Sequence, residues 1–182
     1  PVVLGDRVAY AERTQNRLFV VDPRRSGQDV ELDIADVPLG EQPGVIEASA
    51  DGTQLYVVDE GDESLRIYDA DAPEDPQIVE LQAAYDRIAV DPQGDFVVLS
   101  FSGQGEENIV ARNLNEVGIV DLRSDPPQTY FVTLSTRANA FVFAPPFTLD
   151  GEPQRMMAVL ANNEITIFDL LADNDEDRLR EI

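Results

Sequence analysis

Gly52-Thr53-Gln54-Leu55-Tyr56-Val57-Val58-Asp59-Glu60-Gly61-Asp62-Glu63-Ser64-Leu65-Arg66-Ile67-Tyr68-Asp69 holds two short apolar runs around one polar turn. Leu55 to Val58 is rich in β-forming residues, and the second run ends on Asp69. Two such runs joined by the polar stretch Asp59 to Ser64 read as a β-hairpin. Gly52 supplies the positive φ that a tight turn needs just before it. Working outward, Val45 to Ser49 reads as a strand before the turn, and Gln77 to Leu81 as a strand after the hairpin. One unit is therefore four short strands in sequence.

The unit recurs. Phe19-Val20-Val21-Asp22, Arg66-Ile67-Tyr68-Asp69, Gly118-Ile119-Val120-Asp121 and Thr166-Ile167-Phe168-Asp169 are apolar segments ending in Asp, separated by 47, 52 and 48 residues. The turn glycine is a second landmark. Gly5 precedes Asp22 by 17 residues, Gly52 precedes Asp69 by 17, and Gly151 precedes Asp169 by 18. Further strands are expected at Arg87 to Val90 and Ala140 to Ala144 before the turns, and at Val30 to Ile34 and Thr129 to Leu134 after the Asp segments. Met156 to Leu160 stands where Leu55 to Val58 stands. Helical spacing over 11 or more residues is not found.

A four-stranded antiparallel meander of this length cannot bury both faces alone, and stacking such units around an axis solves that. The expectation is an all-β chain: a β-propeller of about four blades of four antiparallel strands, with units at approximately 1–42, 43–85, 86–136 and 137–182. A β-sandwich also has many short strands but does not require a gap-free internal alignment. Four blades lie at the low limit for a ring, and Pro1 to Leu4 leaves only a stub of inner strand before Gly5. An arc of a larger, seven- or eight-bladed propeller is therefore expected, its remaining blades coming from the same chain or a second copy.

Composition removes several kinds of chemistry. The 182 residues contain no Cys and no His, and all 13 basic residues are Arg. Disulfides, thiolate nucleophiles, a Ser-His-Asp triad, Schiff-base lysines and a P-loop lysine are excluded. Against those 13 cations stand 36 carboxylates, for a net charge of -23. Such a field repels phosphate backbones and anionic headgroups, so nucleic acid is a poor partner. No apolar run approaches the roughly 18 residues of a membrane helix, so no membrane insertion is expected. The acidity reads either as solubility in a salty medium or as attraction for a cation or a basic partner.

With neither Trp nor His, the marks of WD40 repeats cannot be present, and no Gly-Gly pair suggests kelch. The stretches Pro43-Gly44-Val45-Ile46-Glu47-Ala48-Ser49-Ala50-Asp51-Gly52, Gln54 to Asp59 and Leu65 to Asp69 resemble the YVTN/lactonase-like propeller repeats. Ile88-Ala89-Val90-Asp91-Pro92-Gln93-Gly94 repeats the pattern more loosely, and Leu4-Gly5-Asp6 departs from the Asp-Gly turn. The resemblance covers most of the chain, but its motifs specify backbone only. It implies an extracytoplasmic compartment (periplasmic, cell-surface or secreted) and a binding or interaction scaffold. The alternative it implies is a lactonase-like or metal-assisted hydrolase. Protein, small-molecule and carbohydrate ligands all stay open.

Three features are candidate sites. Gly94 precedes Asp121 by 27 residues, ten more than in the first two units, and the excess lies in Ser102 to Asn113. A long loop on a rigid scaffold is a place for ligand contacts, here Gln104, Glu106, Glu107, Asn108, Arg112 and Asn113. Surface length is also tolerated without function, because closure entropy grows only logarithmically. Asp69, Asp71 and Asp75 form a candidate Ca²⁺ cluster, and Asp173, Asp175 and Asp177 a second that resembles the start of an EF-hand loop, with Arg178 at the glycine position. Solvated loops explain both clusters as well, and no cofactor beyond calcium is expected. Glu12, Glu47, Asp59 and Arg87 are conceivable axial groups, but no spacing selects them as catalytic.

Overall fold

The computed structural model describes residues 1–26, 29–103, 113–162, 164–172 and 179–181. Four four-stranded antiparallel sheets follow one another along the chain. The first contains β1 (Val2–Leu4), β2 (Arg7–Glu12), β3 (Arg17–Ser26) and β4 (Asp29–Pro38), paired in that order. The second contains β5 (Pro43–Ala48), β6 (Gln54–Asp59), β7 (Ser64–Asp69) and β8 (Gln77–Glu80). The third contains β9 (Arg87–Val90), β10 (Phe96–Ser100), β11 (Glu116–Asp121) and β12 (Gln128–Thr133). In the fourth, β13 (Ala140–Phe143) pairs with β16 (Met156–Ala161), then β17 (Glu164–Asp169), then β18 (Leu179–Glu181). The hairpin of β14 (Phe147–Leu149) and β15 (Glu152–Gln154) is inserted between the first two strands of this blade.

The landmarks of the repeat are backbone devices. Gly5, Gly52, Gly94 and Gly151 all have positive φ, between 60° and 88°. In the second and third blades the turn is closed the same way: Gly52 N donates to Ser49 O and Gly94 N to Asp91 O. After each hairpin, Ala70, Leu122 and Leu170 donate back to Thr53, Asp95 and Arg155. At the opposite end, Leu39, Leu81 and Leu134 donate to Asn16, Glu63 and Asn115 and bury their side chains. Each buried leucine thus fastens the exit of an outer strand under its own hairpin.

Two expectations are corrected. The first Asp-ended strand does not stop at Asp22: β3 continues to Ser26, because β4 pairs with it from Pro38 back to Asp29. Gly151 is not the direct link between the first two strands of its blade. With Asp150 (φ 52°) it forms the two-residue tip of the inserted hairpin, where both central residues need positive φ.

Alternation along the strands gives every blade two apolar faces, and three cores lie between blades. Leu4, Ala9, Leu18 and Val20 of the first blade meet Leu55, Val57 and Tyr68 of the second. Tyr56, Val58, Leu65 and Ile67 meet Val97, Leu99 and Val120 of the third. Phe96, Val98, Val117 and Ile119 meet Met157, Val159 and Phe168 of the fourth. Each fully buried side chain of this size contributes roughly 1.5–3 kcal/mol. Among the described residues no core joins the fourth blade to the first. The blades form an open arc.

Candidate functional site

The loops fall at two ends of the arc. One end carries the glycine turns and the loops after Asp69 and Asp121. The other carries the hairpin turns near Asn16, Glu63, Asn113 and Asn162, with the connectors that lead to the next blade.

At the glycine-turn end, arginines fasten one blade to the next. Arg7 donates to Ala70 O at 2.7 Å and to Asp71 Oδ1 at 2.6 Å, and its Nε lies 3.7 Å from Asp22. These residues line a recess of about 240 Å³ together with Arg24, Asp33 and Ile34. Arg24 itself lies 3.4 Å from Asp22 and 3.0 Å from Asp33, so the charges in this recess are matched from within. Asp69 spends Oδ1 on the backbone N–H of Asp71 at 2.7 Å, and Asp75 is exposed. Among the described residues no group of three or more carboxylates is placed to hold a metal ion. Asp71 faces an arginine, and the guanidinium stands where a cation would have to stand. Asp173, Asp175 and Asp177 lie outside the described residues.

Between the third and fourth blades the fastening is buried. Arg155 donates to Asp91 Oδ2 and to Gln93 Oε1, and lies 3.6 Å from Asp95. Asp91 is 1% and Arg155 6% exposed. Burial pushes the Asp91 carboxyl above the usual carboxylate range, and the neighbouring guanidinium only partly offsets it. This pair holds two blades together and has no open approach.

The axial candidates do not converge on chemistry. Asp59 is sealed from solvent and accepts from the N–H groups of Gln42 and Gly61, fastening the entry of β5 to the end of β6. Gly40 makes room for it, since a Cβ there would lie 1.1 Å from Asp59 Oδ2. Glu12 accepts from Thr14 N and Tyr10 Oη, and those bonds hold its carboxyl below the usual range. Arg87 donates to Ala138 O and Asn139 O on the next connector. Glu47 is exposed on β5.

The hairpin-turn end between the third and fourth blades is different. Asn115, Ser135, Thr136, Arg137, Asn139 and Asn162 line a recess of about 330 Å³, with Leu114 at its wall. Leu114 and Asn115 of this recess follow directly, in sequence, on the long loop of the third blade. Of the six residues singled out there, Gln104, Glu106, Glu107, Asn108 and Arg112 lie outside the described residues. Asn113 is described and acts locally: its Nδ2 donates to Thr133 Oγ1 at 2.8 Å and its Oδ1 accepts from Asn115 N. Gly103, at φ 72°, packs directly on Arg137, for a Cβ there would fall 1.4 Å from Arg137 Nη1.

The hydrogen bonds of the recess position its amides. Asn115 Nδ2 donates to Ser135 O at 3.3 Å, Asn139 Nδ2 faces Asn162 Oδ1 at 3.4 Å, and Ser135 Oγ donates to Glu164. Thr136 Oγ1 is buried and has no hydrogen-bond partner among the described residues. No carboxylate lines this recess among the described residues, in a chain with 36 of them. The lining offers donors and acceptors together with one cation. It suits a polar ligand that is neutral or carries a single negative charge. Sequence reasoning missed it because the residues come from three segments and no short spacing joins them. The long loop was the one visible signal.

No protein-family model matches the chain, and no curated protein matches it. Solved structures do. Kluyveromyces lactis Hsv2 superposes with a TM-score of 0.64 at 10% identity, over 100% of this chain and 60% of that one. The β-propeller domain of Myceliophteria thermophila Cps50 (Swd1) gives 0.53 at 13% identity, over 97% and 55%. The fold is a β-propeller. A 6-phosphogluconolactonase-like protein from Bacteroides uniformis superposes with a TM-score of 0.57 at 12% identity, over 97% of this propeller chain and 50% of its own. The chain thus spans between 50% and 60% of the length of these structures. At such identities the likeness concerns the fold alone.

Proposed function

We propose that this chain belongs to an extracytoplasmic, YVTN-like propeller that acts as a binding scaffold. Its ligand site is the amide-lined recess between the third and fourth blades. The observation that carries this reading is the lining itself. Three asparagine amides, two hydroxyl residues and Arg137 converge there, and among the described residues no carboxylate lines it, although Glu164 accepts from Ser135 at its edge. Asparagine presents a donor and an acceptor side by side, which matches the vicinal hydroxyls of a carbohydrate. A neutral oligosaccharide is therefore the ligand class proposed, and the volume is within the lower range of small-molecule sites, about 300–1,000 Å³. The compartment rests on the repeat pattern around Gly52 and Asp69. Among the described residues the hydrolase alternative lacks a supporting arrangement, since Asp59 is sealed and Glu12 is engaged by Thr14 and Tyr10.

The test is an amide chemical-shift titration with maltose, cellobiose and lactose. Saturable shifts are expected at Asn115, Arg137, Asn139 and Asn162, and Asn139→Ala combined with Arg137→Ala should abolish them. Absence of any shift up to about 20 mM sugar, or shifts confined to the glycine-turn end, would overturn the assignment; weak sugar sites bind near millimolar, about -4 kcal/mol.

A further inference from the structure

The three blade junctions are closed in different ways at their hairpin-turn ends. Gln54, Phe96 and Met156 pair with Asp69, Asp121 and Asp169, which makes them equivalent positions of three blades. Five residues further on stand Asp59, Phe101 and Ala161, all three buried against the preceding blade. The connectors between blades agree as well. Leu81 and Leu134 each donate to the hairpin of their own blade, and Arg87 and Ala140 begin the next inner strand six residues on. Tyr85 and Ala138, each four residues after its leucine, are therefore equivalent too.

At the junction of the second and third blades these positions are filled by aromatic rings. Tyr85 stacks on Phe101 with centroids 4.8 Å apart, both are buried, and Tyr85 Oη donates to Glu116. At the first junction Asp59 takes the place of Phe101 and accepts from the N–H groups of Gln42 and Gly61. At the junction of the third and fourth blades both places hold alanine. Glu164, the equivalent of Glu116, accepts from Ser135 instead of from a tyrosine. Ala138 lies between Arg137 and Asn139, and Ala161 directly precedes Asn162. The two methyl groups thus stand beside the recess of about 330 Å³ that those residues line. We propose that Ala138 and Ala161 are the specificity-determining residues of this recess. By withholding the aromatic pair that closes the second junction, they leave room for one ring of a sugar. This rests on the carbohydrate reading of the recess. A pyranose ring is about as broad as a phenyl ring, and it brings the hydroxyls that the asparagine amides can pair.

Refilling the recess tests this. The double variant Ala138→Tyr/Ala161→Phe should fold, with its far-ultraviolet spectrum unchanged, and should show no saturable amide shift with maltose up to about 20 mM. Ala161→Phe alone should weaken maltose binding at least about tenfold. A second readout needs no sugar. The two introduced rings should give nuclear Overhauser contacts to each other, and the double variant should be more stable than the two single changes predict by addition. A wild-type chain that binds no sugar would remove this proposal together with the carbohydrate reading. A wild-type chain that binds maltose, with a folded double variant that binds it equally well, would overturn the role of the alanines alone. So would a double variant that does not fold or shows no coupling between its rings, because room for an aromatic pair would then be missing.

Discussion

At Gly52 a positive φ coincides with close approach to the backbone of a neighbouring blade. Its φ is 72°, and a Cβ there would lie 2.3 Å from the backbone N of Gly5, so the first two blades touch through their turn glycines. Gly94 has a similar φ of 76° but nothing within 4 Å of a built Cβ. Gly94→Ala should therefore cost only the left-handed backbone term, about 1–2 kcal/mol. Gly52→Ala should cost distinctly more, because backbone of the neighbouring blade must move. Urea unfolding of both variants measures the difference, and equal losses would mean that the blades slip past each other at no cost. This contrast also shows what could be read from residues alone. The positive φ of Gly52 followed from its place before an apolar run. The contact between Gly5 and Gly52 did not, since it joins residues 47 positions apart in sequence.

Strands were legible where apolar residues alternate or run between turn residues, as in β6, β7 and β9. They were less so where pairing outlasts the apolar pattern. β3 and β4 extend through Pro23-Arg24-Arg25-Ser26 because backbone bonds continue a hairpin that side chains no longer announce. The hairpin β14–β15 was hidden for a related reason: its strands are exposed, so no burial selects their composition. Fastenings between elements were the least visible, since Arg155 and Asp91 belong to different blades and carry no motif. Truncating Arg155 to Met should cost about 3–5 kcal/mol, because Asp91 would then be a buried carboxylate without its cation. The pH dependence has a definite sign. Burial already raises the carboxyl of Asp91 above its unfolded value, and removal of the guanidinium raises it further. A group raised in this way favours the folded state when protonated, so its contribution is present below the unfolded pKa and lost as pH rises through the folded one. The Arg155→Met deficit should thus be largest at neutral pH and shrink on acidification. Adding Asp91→Leu should recover much of the loss at pH 7, and a double variant as weak as the single would show that packing of the arginine stem matters more than charge.

The charge of the whole molecule acts on every one of these contacts. Thirteen arginines can match at most 13 of the 36 carboxylates, and several already do so in pairs such as Arg17 with Asp36 and Arg123 with Asp121. The surplus lies on a chain whose cores are the apolar layers between blades, so repulsion has little to oppose it except those layers. Salt screens such repulsion over about 10 Å at 0.1 M and about 3 Å at 1 M. Exposed pairs lose their attraction under the same conditions, but each contributes only about 0–1 kcal/mol, and the surplus repulsion is spread over the whole surface. The net effect expected is stabilisation: Tm should rise by about 4–8 °C from low salt to about 1 M NaCl, which for a domain of this size corresponds to about 2 kcal/mol. A Tm independent of protein concentration assigns the effect to a single chain. CaCl₂ at matched ionic strength should give the same rise, since Asp71 is held by Arg7 and no described carboxylate group is placed to bind a cation. A saturable excess with calcium would return Asp69, Asp71 and Asp75 to consideration as ligands. A flat or falling Tm in NaCl would mean that the surplus carboxylates are already neutralised at low salt.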